Sequence, residues 1–487
     1  MILGFMERNL SSSLLGTLLL LSLAWFLHLV RKLLPPSNFP RNIPTVPIYV
    51  SFLGLFTNMD QKEIFENYLR DHLEMYGAVK IYFASRWNIL VTKPELLVEI
   101  FRDEETFAKS GNQIKIPYSV LSEYTGDNLI SAHGSTWKLY RQILTTVIQF
   151  PDLNPVVGNS RKFVRSIAHA AQSGSSMLVT DVIQKFALSN IGDSMLGIDF
   201  RLFENDHSVL NEKLKFVKSH IFKPMYLNFP FLDKFPIPSR IEARQAVRSF
   251  RKYYSGLIRS LPENVSNVAG SLTKALNDGV FTEQQFTDNA MIVMIAGHEN
   301  PQLLLTSLIY VLSLYQDIQQ KLRDELTSVD YDEQVLDQLP YLNSIIYETL
   351  RMFPPLGQII NRITTKPVKL GDFVIPKGVY VGYNNFATGR DRTVWEDADS
   401  FSPDRWGIEI AQVNRSYSKA KGSARLPAFH GRKRACLGEK FALHEMKQVL
   451  NQLLKSFRVI PDPEWENKLT PGGPVSPWKL KVKFEAL

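Results

Sequence analysis

The chain has 487 residues, enough for one large domain or two to three ordinary ones. Its net charge of +8 comes from 56 Lys+Arg against 48 Asp+Glu, is spread along the chain and accompanies no nucleic-acid-binding motif, so no nucleic-acid partner is expected. An anionic membrane surface or an acidic protein partner accounts for it equally well. The single cysteine excludes an intrachain disulfide and any metal site built from two or more cysteines.

Leu14 to Val30 is a mostly apolar run followed at once by Arg31-Lys32. Spanning a bilayer takes roughly 17–25 such residues, so the run is just long enough. No small-residue cleavage site follows it, which favours an uncleaved transmembrane signal anchor over a removed signal peptide. The positive charges lie downstream, so residues 1–13 are expected in the lumen and the rest of the chain in the cytosol. Pro35, Pro36, Pro40, Pro44 and Pro47 predict a stiff extended linker over 31–48. The soluble body is expected from 49 to 487.

Within the body, Glu63 to Tyr76 reads as a helix, and Val79–Phe83 and Asn88–Thr92 as two strands around a turn at Ser85-Arg86. Pro94 to Phe101 suits a helix with proline in its first turn. Phe107 to Ser131 lacks periodicity and reads as a loop able to cover a pocket. Trp137 and Arg141 stand four apart on a predicted helix and share a face. Residues 155–285 alternate helices and loops without evident chemistry. The apolar stretches Phe222-Lys223-Pro224 and Phe229-Pro230-Phe231-Leu232 suit a membrane-facing or substrate-entry loop, or equally a buried turn.

Phe286 to Leu326 reads as one long helical run containing Ala296-Gly297-His298-Glu299-Asn300-Pro301. Pro301 has no N–H to give the Gly297 carbonyl, so the helix is expected to bend or open there and leave room beside small side chains. Tyr341 to Phe353 is a predicted helix on which Glu348 and Arg351 face the same way. Phe401-Ser402-Pro403-Asp404-Arg405-Trp406 follows, and short strands are predicted over Val368–Tyr383.

Cys436 lies in Phe429-His430-Gly431-Arg432-Lys433-Arg434-Ala435-Cys436-Leu437-Gly438, just before a predicted helix. Arg425, Arg432, Lys433, Arg434 and Lys440 are close to it in sequence. Positive charge and a helix N-terminus both favour a thiolate. Such a thiolate suits axial ligation of haem iron; an inert buried cysteine is the plainer reading.

This stretch resembles the cysteine loop of the cytochrome P-450 superfamily, with Phe429, Arg434 and Gly438 in place. The superfamily usually has glycine four residues before the cysteine; here that place holds Arg432, and Gly431 lies one position earlier. The Glu348-x-x-Arg351 pair and the later Arg405 resemble its buried charge network, Trp137 with Arg141 and Arg362 its propionate-binding positions, and Gly297-x-Glu299-Asn300 its oxygen groove, where threonine usually stands in place of Asn300. A narrower likeness, to the fungal dityrosine-forming cytochromes P-450, is carried by Ser85–Val91, Phe107–Gln113, Ala296–Gln302, Ile375–Phe386 and Asp462–Pro471.

The resemblance implies a mainly α fold with a small β region, haem b bound through Cys436, and NADPH electrons delivered by a cytochrome P-450 reductase. It implies a proton-delivery role for Glu299 and Asn300, and an enzyme of the endoplasmic reticulum membrane. Its implied reaction is oxidative phenol coupling of two N-formyl-tyrosines into bisformyl dityrosine for a spore or cell wall, in sporulation. The residues themselves leave two alternatives open: a hydroxylase of another small molecule, and a haem-binding protein without turnover.

Overall fold

The computed structural model describes residues 17–18, 20–25, 31, 33–172, 174–204, 208–329 and 335–487. Most of the expected anchor over 14–30 therefore lies outside the described residues; those of it that are described, 17–18 and 20–25, are helical and exposed. Among the described residues no helix is long and apolar enough to cross a membrane.

The proline-rich stretch lies on the body instead of standing free of it. Phe39, Ile43 and Val46 are buried, and the Val46 N–H donates to the Lys80 carbonyl. Prolines here set turns that lead the chain along a sheet edge. The following helical region runs from Gln61 to Tyr76 in three pieces, with a wider π turn over Phe65–Leu69. Asp60 and Glu63 form its capping box, and Gly77 ends it at φ 75°, where only a residue tolerating left-handed backbone stops a helix cheaply.

A five-stranded sheet lies at this end of the molecule. Its order is Ala78–Phe83, Arg86–Val91, Tyr380–Asn384, Gln358–Thr364 and Phe107–Lys109. The first two strands form a hairpin whose tip, Ala84 and Ser85, takes φ of 50° and 61°. The region expected as plain loop thus contributes an edge strand, followed by short helices over Asn112–Lys115 and Val120–Thr125.

A three-stranded sheet of Met177–Leu178, Lys481–Ala486 and Phe457–Pro461 and a two-stranded one of Val368–Leu370 and Phe373–Ile375 hold the other strands, and helices dominate the rest. The long central helix, Glu283–Leu314, starts with a Thr282/Gln285 capping box and is apolar nearly all round, as a helix packed on every side must be. The run expected to continue to Leu326 breaks at Tyr315, and Gln316–Thr327 is a separate helix. Pro301 sits inside the long helix, which keeps α geometry through that turn.

Pro340–Met352 carries the buried charge network. Glu348 and Arg351 are both fully buried and paired at 2.7 Å. Glu348 also accepts from Arg405 Nε at 2.9 Å, the Ser402 N–H at 2.9 Å and Trp406 Nε1 at 3.1 Å. The remaining N–H groups of Arg351 reach the carbonyls of Gly389, Ala398 and Ser400. Every guanidinium nitrogen of Arg351 has a partner, so the network ties the 340–352 helix to the 389–406 segment. Glu348→Ala strands a buried guanidinium and should cost about 3–5 kcal/mol. Urea unfolding reads this as a lower midpoint; an unchanged midpoint would contradict it.

Candidate active site

Cys436 follows a short 3₁₀ turn, Arg432–Arg434, and precedes the helix Glu439–Ser456. Its N–H donates to the carbonyl of Phe429 at 2.9 Å, which folds the loop back on itself. The loop turns on two left-handed residues, His430 at φ 60° and Arg432 at φ 57°. A Cβ at Gly431 would meet the Phe101 ring at 2.8 Å, while Gly431 itself has extended backbone. Two demands therefore fall on neighbouring positions. Gly431 makes room for Phe101, and Arg432 takes the left-handed bend at a cost of roughly 1–2 kcal/mol.

The thiol is exposed, yet it lies deep enough that burial pushes it up to about 11. Both observations fit a side chain facing an internal cleft. The Gly438 N–H and Lys421 oppose the rise, and Glu439 adds to it. This corrects the expectation that neighbouring cations hold a thiolate. Arg425 reaches the Val394 carbonyl and stacks on Trp395, Arg434 turns to Glu104, Lys440 lies over Phe150, and Arg432 and Lys433 point to solvent. A thiolate here needs a metal ion to displace the proton.

On the sheet side of the loop, cations converge on Glu104. Arg362 Nη1 donates to it at 2.8 Å and Arg434 Nε at 2.6 Å. Burial raises the Glu104 carboxyl, but these guanidiniums outweigh that and hold it below the usual carboxylate range. Arg434 stacks over Trp137 at 3.9 Å, and Arg141 lies over the same ring at 5.8 Å. Lys109 is buried in the cluster, its ammonium pushed well down by burial, Arg362 and Arg434. Burial and the same cations hold His430 well below its ordinary value, and its Nδ1 hydrogen-bonds the Tyr383 hydroxyl.

One carboxylate cannot satisfy this cluster. Arg362 Nε and Nη2 and Arg434 Nη1 are buried without partners. Orphaned buried guanidinium N–H groups are costly unless an anion meets them. Among the described residues no group of three or more His, Cys, Asp or Glu could hold a metal ion, so a metal at Cys436 must bring most of its own ligands. A haem meets both conditions, with two propionates for the arginines and an iron for the thiolate; the donor set fits it.

The third part of the expected site is arranged differently. Glu299 lies 3.6 Å from Lys218, on the helix Val209–Ile221. Burial raises the Glu299 carboxyl and Lys218 opposes the rise. Asn300 Nδ2 donates to the Ala296 carbonyl at 3.4 Å. A Cβ at Gly297 would fall 2.1 Å from Ile191 Cδ1, so the room expected beside Gly297 is taken by Ile191. His298 is fully buried, bonded to the Met294 carbonyl and held down to about 3 by burial. Sequence reasoning missed Glu104 and Lys218, for neither sits in a spaced motif.

The sequence profile described as Cytochrome P450 matches residues 44–484. The chain is 46% identical over 465 residues to Cytochrome P450-DIT2 of Saccharomyces cerevisiae, covering 93% of this chain and 94% of that protein. It is 36% identical over 472 residues to Cytochrome P450 monooxygenase xanG of Aspergillus fumigatus, covering 92% of this chain and 86% of that protein. The crystal structure of the cytochrome P450DA heme domain superimposes with a TM-score of 0.76 at 19% identity, over 92% of this chain and 98% of that one.

Two substitutions check the geometry. Arg362→Gln removes one charged donor pair and should speed haem loss to an acceptor protein by at least about tenfold; unchanged haem retention would contradict the charge argument. Arg432→Gly relieves the left-handed bend but costs chain entropy, a net gain of under about 1 kcal/mol. The thermal midpoint should hold or rise slightly, and a clear fall would show that the Arg432 side chain is itself needed.

Proposed function

The chain belongs to the cytochrome P450 family, and from that premise we propose that it joins two N-formyl-tyrosine molecules at their rings, giving bisformyl dityrosine for a spore or cell wall. It is a haem-thiolate oxidoreductase that uses haem b and electrons from an NADPH-dependent reductase. The observation that carries the finer reading is the 46% identity to Cytochrome P450-DIT2 across 93% of the chain, added to the stretches that resemble dityrosine-forming enzymes.

Bound haem would supply the one-electron oxidation of phenols, fuelled by oxygen. The chain's own residues do the rest. Cys436 offers the thiolate, and its loop is fixed by the Phe429 carbonyl. Arg362, Arg434, Trp137 and Arg141 hold and orient the propionate edge. Glu299 is placed to take up and pass on a proton at its carboxyl, which burial favours and Lys218 opposes. Asn300 is a second polar group on the same turn. The buried Ile292, Val293 and Ile295 keep water from that face of the helix.

The anchor over 14–30 would hold the enzyme at the endoplasmic reticulum with the body in the cytosol. Exposed Phe222, Met225, Phe231 and Phe235 support a membrane-facing entry loop. Phe229 stacks on Phe52 at 5.0 Å, which joins that loop to the start of the body.

The test is product analysis with reductase, NADPH and N-formyl-tyrosine. A carbon–carbon dimer of substrate is expected; a hydroxylated monomer alone would contradict the reading. Lys218→Met should raise the Glu299 carboxyl further, because it removes the charge that opposes burial. The pH limb of product formed per NADPH that reports Glu299 then moves to higher pH at equal haem content. An unmoved limb would take Glu299 out of proton delivery.

A further inference from the structure

Lys115 ends the short helix Asn112–Lys115 and is 5% exposed. Its ammonium donates to the Ile360 carbonyl at 3.3 Å and lies over the rings of Phe83, at 5.4 Å, and Tyr380, at 5.1 Å. Arg86 Nη2 donates to the Lys115 carbonyl, and its guanidinium lies over the other part of this cage, 4.9 Å from the Tyr380 ring. Among the described residues no carboxylate pairs with either cation. A buried ammonium without a counter-ion is costly, and two cations held side by side cost more.

We infer that Lys115 and Arg86 bind the carboxylate of an aromatic acid substrate. Two observations favour an anion over a purely structural cation. The ammonium has three N–H groups and spends one on a carbonyl. Burial, then Arg86, pushes it down to about 7, so the site gains full charge when an anion arrives.

Position points the same way. Ile360 stands two residues before Arg362 on one strand, about 7 Å along it. The hairpin tip beside Arg86 reaches the entry loop, where Ser85 Oγ donates to the Asn228 carbonyl at 3.2 Å. Lys115 therefore lies between the entry loop and the arginines beside the Cys436 loop. A phenolic acid with its ring toward the cleft would leave its carboxylate here, fixing the ring's direction. This deepens the coupling reading and rests on it only for which end reacts.

The test uses full-length, haem-loaded enzyme and two acid–ester pairs. These are N-formyl-tyrosine with its methyl ester, and 3-(4-hydroxyphenyl)propionate with its methyl ester. Binding is read by calorimetry and by the Soret shift. The acids should bind roughly 10- to 100-fold tighter than their esters. Lys115→Met should bring that ratio near one while ester affinity holds, and Lys115→Arg should keep part of it. Equal binding of acid and ester by the parent enzyme, or an unchanged ratio in Lys115→Met, overturns the site. So does an equal loss for acid and ester, which marks a structural role. Should Lys115→Met fail to fold, Arg86→Gln, half-buried at the hairpin, must lower the same ratio or the site is wrong. An intact acid preference without any dimer product would sink the coupling reading and leave this site standing.

Discussion

Arg362 and Arg434 close on one carboxylate, Glu104, and that charge imbalance organises the centre of the molecule. With Lys109 in the same cluster and Arg141 beside Arg434, positive charge exceeds negative in a place largely removed from water. Buried guanidiniums keep such positions only if an anion completes them. Glu104 meets part of that need and leaves three guanidinium nitrogens over. In the proposed reading the haem edge is held by donors on three separate parts of the chain: the helix Gly134–Gln149, the strand Gln358–Thr364 and the cysteine loop.

The rest of the fold keeps those parts in register. The Glu348 network differs from the Glu104 cluster in its hydrogen bonding, since its carboxylate accepts five bonds from four residues and no nitrogen of Arg351 is left over for a ligand. It braces the 389–406 segment, whose Val394 carbonyl accepts from Arg425 ahead of the cysteine loop. One strand of the sheet carries Arg362, paired with Glu104, and two residues earlier the Ile360 carbonyl that accepts from Lys115 of the short helix Asn112–Lys115. The long helix closes the other side of the cleft, with Ile191 packed against Gly297.

Much of this was legible in the residue order, and the failures share one cause. The Glu348–Arg351 pair could be read because helical spacing alone puts the two on one face, and Arg405 lay in a second local motif. The cations near Cys436 misled because closeness in sequence says nothing of direction. Arg425, Arg434 and Lys440 leave the thiol for a carbonyl, a carboxylate and a ring, while Lys421, further away in sequence, acts on it. Glu104 and Lys218 were invisible because their partners lie far along the chain, at Arg362, Arg434 and Glu299. The bend expected at Pro301 did not appear as a break in α geometry. A missing N–H is local, and the helix, packed on nearly every side, continues as α-helix past it.

The reduced carbon-monoxide difference spectrum of the purified full-length enzyme tests the central claim most directly, because Cys436 is the only thiol in the chain. The parent protein should give the thiolate-type Soret band, and Cys436→Ala should lose it while the arginine cluster still retains some haem. A thiolate-type band that persists in Cys436→Ala, or a parent protein that binds haem without one, would contradict the account.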